Sequence, residues 1–119
     1  RRDITKPWRL KEKFDLIAIL GVMHHLPLTH RLPLLKRAAA SLKSGGILFL
    51  SFWEFNPVKG KSLGNHDYLM PWKLGVTAER YCHLYPGAEI KQLLTPLKLK
   101  LLADFRADAG NHYLILAKQ

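Results

Sequence analysis

A chain of 119 residues with 19 Lys+Arg against 9 Asp+Glu carries a formal charge of +10. Its 48% hydrophobic and 24% charged residues are ordinary globular values, which excludes a disordered segment and bounds the chain at one domain or a piece of one. Its apolar runs are too short to cross a bilayer and its start shows no signal-peptide core. The lone Cys82 excludes an internal disulfide, so the expected setting is the cytoplasm. Surplus positive charge of this size points to polyanionic partners, nucleic acid first, because phosphate contacts release counterions. No methionine opens the sequence, and Arg1-Arg2-Asp3-Ile4 reads as the middle of a longer one.

In chain order, residues 1–13 are polar and basic, with Pro7 and Trp8, and read as a loop. Residues 14–20 are apolar apart from Asp15, which predicts a strand buried on both faces. The run breaks at Gly21. Thr29 is the expected cap of a helix over residues 29–42, with Leu32, Leu35, Ala39 and Leu42 on one stripe and Pro33 tolerable only near the start. Gly45 or Gly46 stops that helix, and residues 47–53 form a second buried-type strand. Strand, helix and strand make a βαβ unit and hence a parallel pair. Residues 54–80, with Pro57, Gly60, Gly64, Pro71 and Gly75, read as a long irregular loop. A short helix follows over 86–94. Period-2 alternation over 97–107, a turn at 108–111 and an apolar run over 113–117 then predict an antiparallel hairpin.

The stretch FDLIAILGVMHHL, followed by LLKRAAASLKSGGILFLSF, resembles strands four and five of class I S-adenosylmethionine-dependent methyltransferases. The resemblance implies an α/β, Rossmann-like fold and covers the chain from Asp3 onward. Residues 1–119 would be a partial methyltransferase domain, strand four to strand seven, ending in the family's antiparallel hairpin. The N-terminal cofactor-binding half, with its Gly-rich loop, is not represented. In the family's strand order the strand at 14–20 would then have an unpaired apolar edge and an uncovered face, an association hazard. The expectation is a fragment of a longer protein, a chain completed by another, or a dimer through that edge.

The resemblance also implies site residues. Asp3 and Ile4 would meet the adenine of S-adenosylmethionine, the carboxylate accepting from the exocyclic amine. Leu20, Gly21 and Val22 would contact its methionine part at the carboxyl end of the first strand. Asp67 through Trp72, with Pro71, followed by Arg80-Tyr81-Cys82-His83, looks like the methyltransferases that act on a carboxymethyl group of tRNA wobble uridines. His25, Trp53, Asp67, Trp72, Arg80, Tyr81 and His83 would then bind substrate, Arg for a carboxylate or phosphate and the rings for stacking on a base.

Adjacent His24 and His25 lack zinc-ligand spacing, so no metal is expected. No catalytic acid or base is assigned, because a sulfonium is already an activated electrophile and transfer rests on positioning and desolvation. The implied partners are tRNA or another RNA, the absent half, a second copy or a small activating subunit. Two further readings stay open: a non-catalytic RNA- or partner-binding remnant, and a small-molecule methyltransferase of the same fold.

Overall fold

A near-continuous apolar run, interrupted only by Asp15, places Phe14–Ile19 in a strand, β1. The architecture is that of a computed structural model describing residues 3–6, 11–73 and 77–119, with backbone only at 73 and 77. The loop reading for Pro7 and Trp8 lies outside the described residues.

After the 3-10 turn Met23–His25, helix α1 spans Leu28–Ala40. Pro27, extended at φ −60° and ψ 155°, takes the cap position, and no side chain caps the helix. Thr29 is therefore a first-turn residue and not the expected cap. Pro33 sits in the second turn, where its ring removes one intrahelical bond. Two lysines satisfy the far end in place of glycine. Lys118 Nζ donates to the carbonyls of Ala39 (2.9 Å) and Leu42 (3.1 Å), and Lys13 Nζ to that of Ala40, where cations suit the helix dipole.

Strand β2 spans Leu42–Trp53 and pairs in parallel with β1. The register jumps from Phe14↔Leu42 to Leu16↔Ile47, so residues 43–46 bulge out of the strand. Ser44-Gly45-Gly46 is this bulge and not a turn ahead of the strand. Gly45 adopts φ +79°, and a Cβ on Gly46 would lie 2.8 Å from the Lys43 carbonyl oxygen and 3.0 Å from that of Phe14.

The stretch 54–80, expected to be an irregular loop, instead contributes most of a second sheet. β3 (Lys61–Gly64), β4 (Asp67–Lys73) and β5 (Thr77–His83) make an antiparallel meander. Asn65 and His66 turn β3 into β4 with φ of 53° and 63°, as a two-residue type I′ hairpin requires. Then come α2 (Gly87–Leu94), β6 (Lys100–Ala107) and β7 (Asn111–Ala117). The last two form the predicted hairpin, and β7 also pairs antiparallel with β2, giving the order β1-β2-β7-β6.

Leu48, Leu50 and Phe52 of β2 and Leu114 and Leu116 of β7 pack with Leu34, Leu35 and Ala38 of α1 and Ile90 of α2. Burying these side chains is the main stabilising term of the fold. On the opposite face Phe49, Tyr113 and Phe105 form a row of rings, with centroids 5.6 and 5.4 Å apart. As an edge strand β1 is not buried on both faces: Phe14, Leu16 and Ala18 are exposed, Leu16 at 59%.

Candidate active site

The carboxyl ends of β1 and β2 meet the meander at the 3-10 turn carrying His24 and His25. In a strand, successive side chains point to opposite faces, so Arg80 and Cys82 of β5 turn one way while Tyr81 and His83 turn the other. The seven residues grouped from sequence as one substrate set therefore divide into two clusters.

The first cluster is a small cavity of about 30 Å³ lined by His25, Trp53, Met70, Pro71, Trp72, Arg80 and Cys82. The Arg80 guanidinium lies over the Trp72 ring, 4.3 Å from its centroid, a cation–π contact. Arg80 Nη2 also donates to His25 Nε2 at 2.7 Å, and His25 Nδ1 donates to the Tyr81 backbone carbonyl at 3.0 Å. Trp53 is held from behind by its indole N–H, which donates to the Ala109 carbonyl at 3.1 Å. Next to His25, the buried His24 packs edge-on to Trp53. Burial first, then the neighbouring His25 ring and the Arg80 guanidinium, lowers its pKa to about 4, and its Nδ1 has no hydrogen-bond partner among the described residues.

The second cluster is an internal ion-pair network. Arg31 of α1, 3% exposed, was not singled out from sequence, nor was Glu89. Arg31 donates from Nε to the Leu26 carbonyl (2.9 Å), from Nη1 to Glu89 (3.2 Å) and from Nη2 to the Tyr81 hydroxyl (2.8 Å). Tyr81 in turn donates to Asp67 at 2.7 Å, and the His83 ring bridges Asp67 (2.6 Å) and Glu89 (2.8 Å). Burial pushes the Asp67 carboxyl up, but hydrogen bonds from Tyr81 and His83 and the charges of His83 and Arg31 outweigh it, leaving the pKa lowered. Burial, reinforced by Asp67, raises the Tyr81 hydroxyl to about 12. Asp67, Tyr81 and His83 thus tie the meander to α1 and α2. An Arg on a helix carries no local sequence signal of such a role.

Of the five residues that the resemblance assigned to the cofactor, three border a groove along β1, and Asp3 and Gly21 do not line it. Ile4, Leu20 and Val22 line an apolar groove of about 420 Å³ that runs along β1 with Phe14, Leu16 and Leu34. Gly21 turns the chain out of β1 at φ +69° and donates its N–H to Ser51 Oγ at 2.9 Å. Asp3 is solvent-exposed. Its carboxylate accepts from the Thr5 hydroxyl (2.7 Å) and N–H (2.9 Å), bonds that lower its pKa.

Residues 1–103 match the family described as "Methyltransferase domain". A protein of Encephalitozoon cuniculi, whose name provisionally assigns it as a methyltransferase, is 31% identical over 114 residues, 88% of this chain and 53% of its own length. Among solved structures, an S-adenosylmethionine-dependent methyltransferase from Clostridium acetobutylicum superposes on 98% of this chain and 63% of its own with a TM-score of 0.72 at 15% identity. The glycopeptide N-methyltransferase MtfA, solved with S-adenosyl-L-homocysteine, gives 0.72 at 14% identity over 100% of this chain and 60% of its own. These likenesses show the α/β Rossmann-like fold, and the chain spans about half the length of the curated relative it matches. Among the described residues no helix is long and apolar enough to cross a membrane. By the match of its residues 1–103, the chain belongs to the methyltransferase-domain family.

Proposed function

We propose that this chain is the substrate-recognising half of an S-adenosylmethionine-dependent methyltransferase acting on a carboxymethylated wobble uridine of tRNA. The observation that carries this reading is the Arg80 guanidinium laid over Trp72 beside His25 and Trp53, at the carboxyl ends of β1 and β2. Ligands of open α/β sheets bind at that edge. Trp72 is 43% exposed, so a base can stack on the outside while the cavity admits only a small substituent. The +10 charge favours a polyanionic substrate.

The chain's own residues fit one side of the cofactor: the apolar wall of Ile4, Leu20 and Val22, with the exposed Asp3 carboxylate one residue before Ile4. When bound, S-adenosylmethionine supplies a methyl group activated on sulfonium. The protein's part is to hold the acceptor with Arg80 and Trp72 and to exclude water, without a general base. The open edge of β1 is closed by a further segment, another chain or a small activating subunit.

The test is calorimetric titration of S-adenosylhomocysteine into this chain, followed by transfer of labelled methyl to tRNA bearing carboxymethyl uridine. Transfer that Arg80→Ala abolishes supports the reading. Binding without transfer to any RNA favours a small-molecule substrate, the class suggested by a related O-methyltransferase solved with apigenin. No binding leaves a recognition half that acts only when completed.

A further inference from the structure

The surplus positive charge is not spread evenly over the molecule. In the β2–β7 pair, Trp53↔Asn111 lies at the catalytic end and Ile47↔Ala117 at the other, about 20 Å away at about 3.3 Å per residue. At the catalytic end charges compensate one another: Arg31 meets Asp67 and Glu89, and Arg106 meets Glu54. The far end collects Lys13, Lys36, Lys43, Lys98, Lys100 and Lys118, around the carboxyl ends of α1 and β7 and the amino ends of β1, β2 and β6. Its acids, beside β1, are Glu12 and Asp15. Among the described residues the ion pair printed there is a loose one, Lys43 to Asp15 at 3.5 Å, with the carboxylate 86% exposed.

The carboxyl end of a helix ordinarily repels anions, because its free carbonyls carry about half a negative charge. Here Lys118 and Lys13 donate to the carbonyls of Ala39 and Ala40. These acceptors are neutral, so two full ammonium charges stand against that partial one. Lys98, held at φ +54°, and Lys118 border a recess of about 370 Å³ whose wall includes Ala39 and Ala40. Lys36, Lys43 and Lys100 are exposed around it. We infer that this lysine-rich end docks the phosphate backbone of a structured RNA, away from the nucleotide presented to Trp72 and Arg80. A small molecule held at the cavity cannot reach so far; a polyanion whose phosphates continue beyond the reacting nucleotide can. The cations are lysines, which meet phosphate as point charges, whereas the carboxylates of an acidic protein select arginine's planar fork. The inference rests on the proposed function for the nucleotide that enters the cavity, but not for the docking itself.

The experiment measures binding of unmodified tRNA to this chain by fluorescence anisotropy over a salt series, with no methyl donor present. Lys98→Gln combined with Lys100→Gln, both at exposed positions, should weaken binding and reduce the slope of log affinity against log salt by about two. Lys98→Arg combined with Lys100→Arg keeps the charge and should keep the slope. Lys59→Gln combined with Lys61→Gln removes the same charge at the exposed meander edge and should leave the slope near that of the parent. No binding by the parent, an unchanged slope in the Lys98 and Lys100 glutamine variant, or a slope lost in the arginine variant overturns the inference. Equal losses from the two glutamine variants do so as well, since net charge alone would then explain the binding. Poly-glutamate that binds the parent as tightly as tRNA, and is released by the same substitutions, overturns the choice of RNA. Docking needs neither cofactor nor acceptor group, so failed methylation leaves this result standing. Methyl transfer that survives without docking removes this surface and keeps the proposed function.

Discussion

The Arg31 guanidinium on α1 reaches the Tyr81 hydroxyl on β5 at 2.8 Å, and through it the Asp67 carboxylate at the start of β4. This contact joins the meander to α1 by way of a buried charge. It sets where β5 lies, and so where Arg80, the next residue back, presents its guanidinium.

Removing that charge leaves Asp67 and Glu89 facing each other's side of His83 without compensation. Breaking a buried pair by deleting one partner costs about 3–5 kcal/mol. Here the carboxylates keep 28% and 24% of their side-chain surface exposed, so Arg31→Met should fall at or below the low end of that range. Urea unfolding of the two proteins measures it. A loss of less than about 0.5 kcal/mol, the range of ordinary surface changes, would show that the network is not structural.

Asp67 makes the same network pH-sensitive. Its carboxyl is held below the ordinary value of 3.8, so the folded state binds a proton less readily than the unfolded state. Such a group contributes stability that is present above the unfolded value and is lost as pH falls through the folded one. The acid limb of the stability curve should therefore steepen below about pH 4. In Asp67→Asn that limb should be flatter. Melting temperatures between pH 2 and 5 decide it, and parallel curves for the two proteins would refute the assignment.

His24 acts in the same sense but in a higher window. With a pKa of about 4 in the fold against 6.5 in the open chain, it binds its proton more readily when unfolded. Stability therefore rises with pH across that interval, and acidification through it costs about 3 kcal/mol at most, since one pKa unit is about 1.36 kcal/mol. His24→Leu removes both the proton linkage and the unpartnered Nδ1. The variant should lose less stability than the parent between pH 6.5 and 4.5, measured by denaturant midpoint. Equal losses would place the linkage elsewhere.

The parallel βαβ unit and the terminal hairpin were legible because their signals are local: a short apolar run, a helix-period stripe and period-2 alternation. The meander was not. Pro71 sits inside β4, where a proline argues against a strand, and the apolar residues of β4 and β5 are too few to make a pattern. What holds β4 to β5 is a cross-strand register closing with Asp67↔His83, and what holds the pair in place is Arg31. A contact between residues 36 positions apart leaves no trace in a window of ten. For the same reason sequence could gather Arg80, Tyr81 and His83 as one motif but could not divide them: the division follows from strand geometry, which appears only once β5 is known to be a strand. Burial of β1 was misjudged because composition reports that a strand is apolar, not whether a neighbour lies beside it.

That open neighbour position makes the last prediction. Among the described residues, β1 offers an unpaired backbone edge beside exposed Phe14 and Leu16, and edges of this kind seed association between chains. Leu16 is 59% exposed, so Leu16→Lys should change unfolding free energy by less than about 0.5 kcal/mol. A charge on the edge should nevertheless suppress pairing of one chain with another, the device natural edge strands use. Sedimentation velocity over a concentration series is the measurement. Self-association of the parent that vanishes in Leu16→Lys locates the contact at β1. Self-association that persists unchanged moves it to the opposite edge, β6, where Leu101, Leu102 and Phe105 are also exposed and the same substitution at Leu102 becomes the informative one.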